Sequence, residues 1–272
     1  MTTGTLSDQR VRWAAIVALA SVLCLSILRI PAVFNAVGYV AVLWVVDLTN
    51  IIAAAIGCVL SFLLYFSFDR SERHKAIWGF LAVGLLLWSL GEAIWAFYEL
   101  VLKQELPYPS FADVVWVIGY IPLFISLWLR FRTLRRTPQT GQLVVVLGIF
   151  VVLVALAVVF VIGPIVTYPE YEPIEKFLDT LYPIGDLTVA LGALLSVLAL
   201  SGGALSRSWA LIAAGFLLIA CSDILFSYMT WNEIYIHETP DLFSSLLDIT
   251  YYASYALMAL GIYIQARIQR VA

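Results

Sequence analysis

The sequence predicts an all-α, polytopic membrane helix bundle: eight transmembrane helices, built as two four-helix repeats in parallel orientation. Three observations carry that expectation. Hydrophobic residues make up 63% of the 272 and charged residues 12%, with a mean hydropathy of +0.98, whereas a soluble domain is nearer half apolar and a quarter charged. The apolar residues gather into eight runs, each close to the about 20 residues that cross the hydrocarbon. Polar residues inside those runs recur at matching positions in the two halves. The spans use up the length, so 1–272 reads as a single integral membrane domain with no stretch left for a soluble catalytic domain.

The runs can be justified in order. Val11–Leu28 opens behind Arg10 and Arg12 like a secretory signal. Its apolar run exceeds a signal core, and the fifth run occupies the matching place, so it counts as a span. Val37–Phe66 carries Asp47 and alanines 53–55, small enough for close helix approach. Ala76–Leu102 carries Glu92, and a Pro-Tyr-Pro-Ser turn separates it from Phe111–Phe131. Leu143–Gly163 follows the basic group Arg130, Arg132, Arg135 and Arg136, a topology signal and an anionic-lipid contact. Ile174–Leu200 carries Asp179, Asp186 and the small pair Gly192-Ala193; Trp209–Trp231 carries Asp223, and Leu242–Ile264 carries Asp248. Pro122 and Pro183 are expected to kink their spans and free carbonyls. Cys24, Cys58 and Cys221 read as small buried hydrophobes, and His74 and His237 as loop residues, so no metal site is expected.

Basic residues set the expected orientation. With the N-terminus inside, cytoplasmic segments hold twelve of the fifteen Lys and Arg, leaving Arg29, Lys103 and Lys176 outside. The outer loops then hold Glu99, Glu105, Glu170, Glu172, Glu175, Glu233, Glu238 and Asp241. Both termini are therefore expected in the cytoplasm. The duplication is read from Trp78, Gly84, Gly91-Glu92 and Trp95, which align without gaps on Trp209, Gly215, Ser222-Asp223 and Phe226. Asp113, Trp116 and Gly119-Tyr120 match Asp248, Tyr251 and Ser254-Tyr255, and Asp47-Leu48-Thr49 matches Asp186-Leu187-Thr188. Repeat 1 covers about 10–136 and repeat 2 about 141–270; four spans each gives the halves one orientation, with an axis along the membrane normal.

Seven carboxylates fall within spans, and six of them form matched pairs: Asp47 with Asp186, Glu92 with Asp223, Asp113 with Asp248. At 1.5 Å per residue, Glu92 lies about 12 Å below the outer end of its span and Asp47 and Asp186 about 15–18 Å. Asp113 and Asp179 lie nearer the surface, and the cytoplasmic half holds no acid. A conduit needs polar groups at successive depths; a set that stops midway points to a pocket open to the outside. Each acid is then protonated, hydrogen-bonded to Ser, Thr or Tyr, or paired with a cation. Aromatic residues at helical spacing (Trp95, Tyr98, Trp116, Tyr120, Tyr182, Tyr228, Tyr251, Tyr255) suit an organic cation. Structural readings compete. Ser110 and Asp113 have capping-box spacing, Asp179 would complement a helix dipole, and Glu92, Asp223, Asp47 and Asp186 would lock helices by hydrogen bonds. Trp231 and Tyr168 read as interfacial anchors.

One stretch also resembles a known family. Trp78, Gly91-Glu92, Trp95, Tyr98-Glu99, Pro109-Ser110, Asp113, Trp116 and Gly119-Tyr120 resemble the multi-span N-terminal membrane sensory region of bacterial diguanylate cyclases and sensor histidine kinases. The resemblance is specific over about 40 residues and implies a membrane region that senses an input and passes it to a cytoplasmic output domain, with Glu92, Asp113 and Trp116 as motif positions. No output domain follows up to Ala272, so a cytoplasmic signalling partner is expected instead. The sequence has no HExxH, no Ser/His pairing, no phosphate- or dinucleotide-binding loop, and no lysine deep in a span to hold retinal. Neither enzymatic activity, nor a cofactor, nor nucleic acid is expected. The reading is therefore a sensory or receptor-like module of a bacterial inner membrane, its pocket lined by Glu92, Asp223, Asp113, Asp248, Asp47, Asp186, Trp95, Trp116, Tyr120, Tyr251 and Tyr255. The alternatives are a proton- or cation-coupled transporter of a small organic cation and a structural accessory subunit.

Overall fold

The computed structural model describes residues 9–104, 106–133, 140–170, 172–198, 203–235 and 239–271. Glu105, Arg135, Arg136, His237 and Glu238 lie outside the described residues. The helices are α1 (Gln9–Leu28), α2 (Pro31–Val37), α3 (Tyr39–Ser67), α4 (Arg73–Ala96), α5 (Phe111–Arg132), α6 (Thr140–Ala157), α7 (Gly163–Thr167), α8 (Pro173–Leu198), α9 (Gly203–Trp231) and α10 (Leu242–Gln269). Wider π-helical turns finish two of them, Phe97–Leu102 after α4 and Val158–Ile162 between α6 and α7. Eight segments are long and apolar enough to cross a membrane, so this is a multi-pass membrane protein. Their outer faces are apolar, as lipid requires: Phe66, Phe111, Val145 and Leu242 are all well exposed.

Element boundaries follow local chemistry. Pro31 opens α2, where its fixed φ is helical and its missing N–H would have had no partner. Gly38, at φ 90°, then redirects the chain into α3, so that the short helix α2 occupies the connection between the first two apolar runs. The Ser110 hydroxyl accepts the N–H groups of Ala112 and Asp113 while Asp113 accepts the Ser110 N–H, a complete capping box. Asp241 caps α10 through the N–H groups of Phe243 and Ser244, and the bond from Ser244 holds its carboxyl below the usual range. Polar first turns extend helices beyond their apolar runs. The structure corrects further expectations: His74 lies in the first turn of α4, not in a loop, and of the three cysteines Cys58 is buried, Cys221 is half-buried and Cys24 is exposed on the rim helix α1. Pro122 and Pro183 are buried inside helices that continue through them.

Six helices pack as a closed ring in the order α3, α4, α5, α8, α9, α10 and back to α3. Helix α1 leans on α10, and α6 leans on α8. The eight apolar segments bring Gln9 and Gln269 to one end of the bundle; the opposite end, the turn end, carries the connections around Arg29, Tyr108, Tyr168 and Tyr235. Glycines set the closest approaches. A Cβ at Gly119 would sit 2.6 Å from Trp88 Cδ1, and Gly91 abuts the Trp116 indole, so α4 and α5 exchange Trp-on-Gly contacts. Gly84 receives Leu123, and Gly215 receives Met258. Ser126 Oγ donates to the Ile77 carbonyl and Ser208 Oγ to the Gly261 carbonyl, each at 2.8 Å. Leu81, Leu85, Leu123, Leu127, Ile212, Phe216 and Ile262 fill the ring toward the chain ends.

Candidate functional site

The turn half of the ring is not filled. It encloses a cavity of about 460 Å³ whose lining runs from Leu106, Tyr108, Glu233 and Tyr235 down to Trp88, Tyr120, Ile219 and Tyr255. The lining holds eight carboxylates and one guanidinium, Arg29, an imbalance that repels anions. Its walls are aromatic: Trp95 faces Trp116 at 6.2 Å and Phe226 at 6.3 Å, and Tyr120 meets Tyr182 at 6.4 Å. The floor is Trp88, edge-on to Tyr120 at 5.5 Å, Phe216 at 6.0 Å and Tyr255 at 6.5 Å.

Tyrosines hold the acids. Tyr255 donates to Glu92 at 2.8 Å, joining α10 to α4. Tyr182 donates to Asp113 at 2.7 Å, joining α8 to α5. Tyr251 donates to Asp223, Tyr120 to Asp186 and Tyr108 to Asp179. Asp248 pairs with Arg29, with the Tyr235 hydroxyl at 3.5 Å. The tyrosine–acid bonds leave the phenols neutral and give each carboxyl a donor without neutralising it. Asp113 thus does two jobs at once, one oxygen closing the capping box and the other facing Tyr182.

Two contacts are of a different kind. Asp186 on α8 reaches the carboxyl of Asp223 on α9, and Asp47 on α3 reaches that of Glu99 after α4. Carboxyls this close repel unless a proton or a cation stands between them. Asp47 Oδ2, Asp186 Oδ2 and Asn50 Oδ1 are buried and receive no donor. All three are acceptors; in the cavity lining itself, the Arg29 Nε donor is also buried without an acceptor. Outside the spans, burial pulls the Arg29 guanidinium down from its usual value, opposed by Tyr235, Tyr39 and Asp47. Burial likewise pushes the Tyr235 phenol up, with Glu99 adding to it.

Of the residues expected from sequence, Glu92, Asp223, Asp113, Asp248, Asp47, Trp95, Trp116, Tyr120, Tyr251 and Tyr255 all line the cavity. Asp186 lies behind Tyr120, against Asp223. Several lining residues were not legible. Glu99 was read as an outer-loop acid but sits on the π-helical turn, seven residues from Glu92. Arg29, placed outside by the charge distribution, lines the cavity, as does Trp88, which has no sequence signal of its own, and Trp231 lines the cavity besides meeting Tyr168 edge-on at 5.1 Å. Asn50, one turn after Asp47, was detectable by the same depth argument. Among the described residues, no three His, Cys, Asp or Glu side chains are arranged to hold a metal ion.

The chain is a polytopic membrane protein, and no protein family, no curated protein and no solved structure matches it.

Proposed function

We propose that this protein is a sensory or receptor-like module of a bacterial inner membrane. It binds a small organic cation in the acid-and-aromatic cavity and signals through α10 to a cytoplasmic protein, without catalysing a reaction. The observation that carries this reading is the chemistry of the lining: eight carboxylates against one guanidinium, with buried acceptors on Asp47 and Asn50 that lack donors. An ammonium supplies both charge and donors, and the Trp95, Trp116 and Trp88 faces suit its alkyl groups. The volume is in the range of small-ligand pockets.

Helix α10 fits the transmitting role. It supplies Asp248, Tyr251 and Tyr255 to the site, packs on α9, α3 and α1, and runs on to Gln269 at the end with the chain termini. The basic residues favour that end as cytoplasmic and the cavity as outward-facing. The resemblance to membrane sensory regions points the same way. The reading also takes the chain as two four-span repeats of one orientation. Supporting it, Gly84 with Leu123 and Gly215 with Met258 occupy matched positions, as do the bonds Ser126 to Ile77 and Ser208 to Gly261. The rim helices depart from the symmetry, because α1 leans on α10 whereas α6 leans on α8.

The test is titration of the protein in nanodiscs with propylammonium and 1,4-diaminobutane, read by tryptophan emission. Saturable binding is expected, weakened at least about tenfold in Glu92→Gln and Asp223→Asn, since one charge-assisted bond is worth about 1.5–3 kcal/mol. Equal responses from wild type and both variants would end the pocket reading. Time-dependent accumulation of the same amines in proteoliposomes would replace sensing with transport.

A further inference from the structure

The end of the ring opposite the cavity has the reverse polarity. Arg130, half a turn before the end of α5, is only 5% exposed. Its guanidinium carbon lies 4.6 Å from the centre of the Trp209 ring on α9, and Trp209 meets Trp78 of α4 at 5.5 Å. Neither α4 nor α5 adjoins α9 in the ring, so both contacts reach across it. Arg130 Nε and Nη2 are buried without a hydrogen-bond partner, and so is Trp209 Nε1. All three are donors. No carboxylate among the described residues lies within ion-pairing distance of Arg130. Gln265 on α10 has a buried amide oxygen without a donor, but no hydrogen bond joins it to Arg130.

Stacking on Trp209 does not account for this arrangement. A π face attracts the guanidinium through its plane and leaves the in-plane N–H groups unserved. A buried charge with no counter-charge is among the costliest features of a protein interior. Orphaned donors require an acceptor, and an anion answers both demands. Because the donors come from two helices, the acceptor must offer oxygens in more than one direction, which a tetrahedral oxyanion does and which the arginine fork suits. Lys75, Arg132 and Arg207 lie at the same end of the bundle and add to the positive potential.

We propose that Arg130 and Trp209 form an anion site for a phosphate oxyanion, on the side of the ring opposite the cation cavity. The phosphate belongs to a phospholipid headgroup or to a free phosphate. The site stands independently of what the cavity binds.

The full-length protein in dodecyl maltoside micelles, which carry no phosphate, is melted with increasing inorganic phosphate, against sodium chloride at equal ionic strength. A second arm adds phosphatidylglycerol to the micelles and omits inorganic phosphate. One arm is expected to raise the wild-type midpoint by roughly 2–4 °C and shift tryptophan emission. A phosphate response identifies a soluble ligand, and a phosphatidylglycerol response alone identifies the headgroup. Arg130→Gln should abolish the shift. Trp209→Phe keeps an aromatic face toward Arg130 while removing the Nε1 donor and part of the indole, so it should weaken the response about fivefold and carries the test if Arg130→Gln does not fold. Failure of both arms on wild type, an equal shift in Arg130→Gln, or an equal effect of chloride overturns the proposal.

Discussion

At the residue scale, the protein solves one problem repeatedly: how to keep carboxyls inside an apolar bundle with one nearby cation. Its answer is the tyrosine hydroxyl, which serves Glu92, Asp113, Asp186 and Asp223 across helix pairs and Asp179 from the connection before α5. Such a bond satisfies an oxygen without cancelling its charge, so the cavity stays attractive to a cation. The alternative, an ion pair, joins Arg29 to Asp248 where the chain leaves α1. Removing a single hydroxyl therefore has a defined cost. Tyr255→Phe leaves Glu92 Oε1 without its donor and should destabilise the protein by about 1–3 kcal/mol, measured by SDS-induced unfolding in mixed micelles. In Glu92→Gln the amide needs the phenol less, so the double variant should fall short of the summed single losses. If Tyr255→Phe unfolds like wild type, the bond contributes nothing to stability.

At the element scale, the site depends on how closely α4 and α5 approach. Trp88 lies on Gly119 and Trp116 on Gly91, and the same two indoles form the floor and a wall of the cavity. The spacing Gly91 to Trp116 in the sequence is thus a packing rule whose consequence is a binding surface. In Gly119→Ala the new methyl meets a buried indole held by Tyr120, Phe216 and Tyr255, which cannot swing aside. About 1–3 kcal/mol should be lost, with a shift in tryptophan emission as Trp88 moves. Gly148 on α6 has open space around it and serves as the control. There Ala should be neutral or stabilising by up to about 1 kcal/mol. Equal melting of the two variants would mean that the α4–α5 contact is looser than the Trp-on-Gly packing implies.

At the scale of the whole molecule, the bundle is polar at both ends of the ring and sealed between them. Acceptors without donors on Asp47, Asn50 and Asp186 lie toward the turn end, beside the Arg29 Nε donor; the orphaned donors of Arg130 and Trp209 lie at the end with the chain termini, beside the Gln265 amide oxygen. Between them stand the Trp88 cluster and the apolar layer of Leu85, Leu123, Ile212 and Phe216. A seal of this kind predicts an abrupt limit to water access. On a cysteine-free background, Asn50→Cys should react with a charged, membrane-impermeant thiol reagent added from the cavity side, and Leu85→Cys should not. Comparable labelling at both would make the aromatic floor a passage and favour transport.

Much of this was readable in advance, for identifiable reasons. The spans follow from hydrocarbon thickness, and the acid-bearing region from the rarity of Asp and Glu in apolar runs, so Glu92, Asp113 and Asp223 declared themselves one by one. Capping by Ser110 and Asp113 is local and was visible in four residues. The sequence by itself thus determined the eight spans, the acids within them and the aromatic residues at helical spacing, because each is a property of one segment and its solvent. Only the tertiary structure decided which acid meets which tyrosine, that Asp186 faces Asp223 and Asp47 faces Glu99, that Arg29 belongs to the cavity, and that Arg130 turns inward onto Trp209. Those pairings depend on the order of helices around the ring and on rotation about each helix axis. Both are set by side-chain packing between segments distant in the chain, where hydropathy is the same on every side.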